Sequence, residues 1–108
     1  MIFNTKRLIS DPKIDQIEQM VARAYDTKVS ELDVFYKDTD AKLMTCFLIY
    51  DVLGYNVKII ASWYSIYHRF LQNKIEEHYI KCLQDSGFMA KVTGFRIAVQ
   101  NTNLQPAT

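Results

Sequence analysis

Apolar residues return at steps of three and four between clear helix-start and helix-stop signals. This period, more than any motif, limits what the chain can fold into. Asp11 stands before Pro12, placing an acceptor side chain ahead of a residue whose missing N–H costs nothing at the first helical position. Ile14, Ile17, Val21, Ala24 and Tyr25 then form one stripe, which predicts an amphipathic helix over 12–25. Asp15 and Glu18 lie in its first two turns, where negative charge suits the helix dipole. After the polar Asp26-Thr27-Lys28, Val29 to Leu32 read as one short turn and 33–40 as a loop. Asp40 is the expected cap of a second helix running to Leu53. Leu43, Met44, Phe47, Leu48 and Val52, with Cys46, Ile49 and Tyr50 between them, make that helix apolar on more than one face and so the most buried. Asp51 within it is expected to cap or to pair internally, and Gly54 is a good C-terminal stop.

Asn56 caps the next piece, where Val57, Ile60, Ala61 and Tyr64 mark a helix of about two turns. Ser65 is a break and a candidate cap. From Ile66 to Gln84, the positions Leu71, Ile75, His78 or Tyr79, and Cys82 put one apolar face on a long helix, with Ser86-Gly87 as its expected stop. Beyond it the pattern changes. Phe95, Ile97 and Val99 alternate with Arg96, Ala98 and Gln100, which is the period of a strand. A lone strand is unstable, so 92–100 is expected to pair with residues 2–9 or with a second subunit, or to pack as an extended arm. The fold class expected is all-α: a compact helical domain over 12–86, an N-terminal arm over 1–11, and an extended, partly ordered tail over 87–108.

Composition agrees. The 108 residues are 49% hydrophobic and 23% charged, the balance of one globular domain. With 3 Gly and 2 Pro there is little turn chemistry for a β-sandwich or barrel. Two cysteines, Cys46 and Cys82, exclude a disulfide scaffold and read as reduced thiols packed as small hydrophobes. No apolar run is long enough for a membrane span, and the charges of the first residues are not followed by a secretory apolar segment. A cytoplasmic setting is the expectation. The net charge of +1 divides as +2 over 1–13, −4 over 14–53 and +3 over 54–108, so the mildly basic C-terminal half alone suits a polyanion.

Catalytic patterns are absent from the sequence. His68 and His78 are ten apart on one expected helix, with no metal-ligand spacing around them. No glycine-rich phosphate cradle or nucleophile elbow occurs, and Asp33, Asp38 and Asp40 do not follow the calcium-loop spacing. No enzyme activity, cofactor or metal is expected.

The informative stretch is Asn56 to Gln84. A two-turn helix, a tight polar break and a longer helix describe a helix-turn-helix, a unit that holds its second helix proud enough to enter a major groove. The exposed N-terminal positions are then Ser65, Tyr67, His68, Arg69, Gln72 and Asn73, flanked by Lys58 and Lys74. Arginine grips guanine or phosphate, Gln and Asn read adenine, and hydroxyls reach phosphate.

The segment from Ile17 to Leu32 resembles the opening of the C-terminal DNA-binding domain of DnaA-type replication initiators, in which a helix ending Val-Ala-x-x-Tyr leads into a short Val-x-x-Leu turn. Val57 to Tyr64 is similar to the family's Leu-x-x-Ile-Gly-x-x-Phe helix, and His68 falls near the histidine of its Gly-Gly-Arg-Asp-His-Thr-Thr signature, with one residue fewer in the turn. Leu71 and Ile75 would continue the recognition helix. The likeness covers residues 14–83. It implies an all-α cluster related to that of the Trp repressor, and duplex DNA as partner. The chain departs from the family in two places. An acidic Phe35-Tyr36-Lys37-Asp38-Thr39-Asp40 stands where the family has an arginine-rich loop, and Ser65-Ile66-Tyr67-His68-Arg69-Phe70 keeps only the histidine of the signature. Two functions follow as expectations: a small DNA-binding protein reading duplex through 65–73, or a protein-interaction or structural subunit, of a mobile element or virus, that keeps the fold without the groove contacts. A homodimer through the C-terminal segment is a further expectation.

Overall fold

Asp11 does open the first helix, α1 (Pro12–Ala24): its carboxylate accepts the Lys13 backbone N–H at 2.9 Å, with Pro12 at the first helical position. The same carboxylate accepts the Tyr55 hydroxyl, tying the start of α1 to the chain far ahead of it. In a computed structural model of the protein, residues 11–32 and 38–103 are described. The expected N-terminal arm, most of the acidic loop and the last five residues lie outside the described residues. Ile14, Ile17 and Val21 are fully buried, so this part of the stripe is a core face; Ala24 is exposed and Tyr25 half-buried, and Ala22 is buried instead. Glu18 is buried too. It serves packing rather than the helix dipole, its carboxylate accepting the hydroxyl of the fully buried Tyr64.

A 3-10 turn (Val29–Glu31) follows, and then the central helix α2 (Asp40–Leu48). Its cap is Thr39, one residue earlier than expected: the Thr39 hydroxyl accepts the Lys42 N–H at 3.2 Å, and Asp40 is already helical. Every residue from Ala41 to Ile49 is buried, because α1, α3 and α4 all pack on this helix. Lys42 is buried with them and reaches Asp38 at 3.1 Å. The helix does not run unchanged to Leu53. It widens into a π turn (Ile49–Leu53), which inserts one extra residue and re-aims the side chains there. Gly54 closes the turn in the left-handed conformation at φ 77°, which glycine adopts without strain.

Helix α3 (Val57–Tyr64) starts at Asn56, whose side chain accepts the Lys58 N–H at 2.7 Å. It ends at Ser65, a non-glycine residue in the left-handed conformation (φ 56°), where the Ile66 N–H returns to the Ala61 carbonyl. Helix α4 (His68–Gln84) begins two residues later than expected, with Tyr67 at its cap position. Leu71 and Ile75 are its buried residues.

The extended tail is overturned. Residues 86–103 form a fifth helix, α5 (Ser86–Asn103), and no strand occurs among the described residues. Gly87 is not a stop. α4 ends at Asp85, whose backbone is extended, and the Asp85 carboxylate then accepts the Phe88 N–H at 3.0 Å to open α5. The stripe that matters is Val92, Phe95 and Val99, all buried at helical spacing, whereas Ile97 is 49% exposed. Phe95 and Val99 fit a period of two and a period of 3.6 equally well, and packing against α1 and α4 decides between them.

Candidate nucleic-acid interface

Three residues join α3 to α4, and each does something different. Ser65 turns the chain, half-buried; Ile66 drops into the core; Tyr67 is thrown outward and is 65% exposed. Anchoring Ile66 fixes where α4 starts, so the face that its first turns present is set by the core. At about 100° per residue, the buried side of α4 is centred between Leu71 and Ile75, and the opposite side carries Arg69 and Asn73. Both are exposed, as is Gln72. His68 is half-buried, its ring 5.3 Å from that of Tyr67.

The eight candidate residues fall into three groups. Lys58, at the start of α3, and Gln72, on α4, line one open groove of about 710 Å³. Glu76 lines it as well, so the groove is basic at one end only. Tyr67, Arg69 and Asn73 project from the α4 surface beside it, with Ser65 and His68 set back at the corner. Lys74 stands apart: it lies on the far flank of α4, bridges Glu77 at 3.2 Å and sits 5.4 Å from the Phe70 ring centre. Lys58 and Lys74 thus flank the face from opposite sides, but only Lys58 shares a surface with Gln72.

Behind this face a polar network holds α4 and α5 to the π turn. Asp51 accepts the Tyr79 hydroxyl and the Arg96 Nε–H, each at 2.7 Å. Burial, and then the carboxylate, push the Tyr79 phenol upward, and the carboxylate holds Arg96 more firmly protonated. Asp51 therefore pairs internally, as its position on an apolar helix suggests, but neither partner was marked by the sequence pattern. The sequence pattern places Arg96 on the polar side of a strand, and the π turn that aims Asp51 has no sequence signature.

No group of three or more His, Cys, Asp or Glu side chains among the described residues is arranged to hold a metal. Cys46 is buried, its thiol pushed well above the usual range by desolvation, so it packs as a hydrophobe. No described helix is long and apolar enough to cross a membrane. Comparison with protein-family models, with curated proteins and with solved structures found no match.

Proposed function

We propose that the protein binds duplex DNA, with α3 and α4 acting as a helix-turn-helix and the first turns of α4 entering the major groove. The observation that carries this reading is the exposure of Arg69, Gln72 and Asn73 together on the outer side of α4, one short turn after an eight-residue helix. Those side chains are the types that read base edges, and the α4 N-terminus, which has no side-chain cap at Tyr67, adds backbone N–H donors for phosphate. Lys58 supplies a second cation across the groove from Gln72. The resemblance of 17–32 and 57–64 to DnaA-type DNA-binding domains supports the same reading, while the acidic stretch at 35–40 removes one of that family's phosphate grips.

The test is a set of variants measured against duplex DNA. Arg69→Ala should cost about 1–3 kcal/mol on a specific site. Gln72→Ala should relax sequence choice more than it weakens binding, and Lys58→Ala should weaken all sequences alike. A second reading has its own support: Ile59 on α3, Tyr67 in the connection and Phe70 on α4 are exposed hydrophobics, at 46%, 65% and 37%. If this surface meets a protein, Tyr67→Ala is the change that loses the partner, because aromatic anchors dominate such interfaces. DNA affinity would then be unmoved by Arg69→Ala.

A further inference from the structure

On the flank of α4 turned away from the Lys58–Gln72 groove lies a second cavity, of about 270 Å³. It opens between α4 and α5 beside the end of α1 and the start of α2. Its apolar lining is Tyr25, Leu43, Phe88 and the ring of His78. That ring is fixed. It stacks on Phe47 at 5.1 Å, meets Phe88 edge-on at 5.6 Å, and donates from Nδ1 to the Lys74 carbonyl at 2.7 Å. Burial holds its pKa below the ordinary histidine value, so the imidazole is neutral near pH 7 and adds ring surface rather than charge.

Three ammonium groups line the same cavity. Lys74 is neutralised by Glu77. Lys81 and Lys91 have no carboxylate partner among the described residues. Each lies over a ring instead: Lys81 Nζ is 4.5 Å from the Phe88 centre, and Lys91 Nζ is 4.1 Å from that of Tyr25. Aromatic faces hold cations in place but do not cancel their charge. Two placed positive charges therefore stand beside ring surface, in an open cavity just below the usual size of a small-molecule pocket, so a ligand there would be only partly enclosed. Asp40 also lines the cavity and can accept an N–H from a ligand. With three lysines against two carboxylates the lining is only mildly positive, which suits one phosphate better than a polyphosphate.

We propose that this cavity binds a nucleoside monophosphate, with Lys81 and Lys91 on the phosphate, the base against the Tyr25, Phe88 and His78 rings, and Asp40 accepting from the base. The proposal is independent of duplex binding by the other flank. The test is a calorimetric titration of the full chain with AMP, adenosine and inorganic phosphate, with proton spectra following the His78 ring. AMP should bind, shift the His78 resonances, and bind about tenfold more tightly than adenosine or phosphate alone. Lys81 and Lys91 are exposed, so Lys81→Gln and Lys91→Gln should leave the fold intact, which a thermal melt of each variant checks. Each should weaken AMP about threefold or more by removing a charge-assisted contact. Lys58→Gln, on the other groove, should leave AMP binding unchanged. Adenosine binding as tightly as AMP, or AMP binding unmoved by both lysine variants, would overturn the proposal, as would no binding at millimolar AMP. Binding of a 5′-phosphorylated oligoadenylate but not of AMP would move the same chemistry to a strand end and overturn the free-nucleotide assignment.

Discussion

Arg96 on α5 donates to Asp51 in the π turn at 2.7 Å, across 45 residues of sequence. Both side chains are largely shielded, at 26% and 15% exposure, and the same carboxylate also takes the Tyr79 hydroxyl. One carboxylate thus ties the π turn, α4 and α5 together. Removing Arg96 strands that carboxylate with a single phenol donor. Arg96→Ala should destabilise the fold by about 1–3 kcal/mol, and Asp51→Asn by a similar amount. In urea melts the double variant should cost less than the sum of the two single changes, since the residues act as a pair. Strict additivity would mean that they do not.

The helical tail gives a sharper contrast. In a strand, Ile97 and Val99 would share one face. In α5, Val99 is fully buried and Ile97 is half in solvent. Val99→Asp should therefore cost about 3 kcal/mol or more, as an unpaired charge in the core. Ile97→Asp should stay within about 0.5 kcal/mol of the parent. Equal losses from the two changes would contradict the helix.

His78 makes stability depend on pH. Its folded-state pKa is lowered, chiefly by burial, whereas in the unfolded chain it is ordinary. The unfolded state therefore takes up protons first as pH falls. The contribution of the neutral ring is complete above the ordinary value of 6.5 and is lost progressively below it, towards the depressed folded pKa. His78→Phe keeps the stack on Phe47 and removes the titration. Its melting temperature should fall less than the parent's between pH 7 and pH 5. A parent and variant that decline in parallel would show that other groups carry the effect.

What the sequence made legible follows from how local its causes are. The caps at Asp11 and Asn56, the stop at Gly54 and the Ile14, Ile17 and Val21 part of the α1 stripe depend on a few neighbouring residues, and they stand where expected. Tertiary causes were not legible. The π turn at 49–53 has no local signature; Glu18 looked like a dipole partner until Tyr64 arrived from α3. The tail misled because β-branched and aromatic residues in alternation satisfy a strand locally, and only the surfaces of α1 and α4 select the helix. Of the candidate DNA residues, exposure was foreseeable for Arg69, Gln72 and Asn73, which lie opposite the Leu71–Ile75 side. The separation of Lys74 from Lys58 was not, because it depends on which flank of α4 the groove occupies.

The most direct test of the DNA-binding account is the salt dependence of the parent protein's affinity for a random duplex. Cations that neutralise phosphates release counterions, so log affinity falls linearly with log salt by about 0.9 for each phosphate held. With Lys58 and Arg69 both on phosphate, the slope should be about −2 or steeper, and Lys58→Ala should reduce it by about one. No detectable binding at low salt, or binding with a flat slope, would contradict the assignment of the α3–α4 face to DNA.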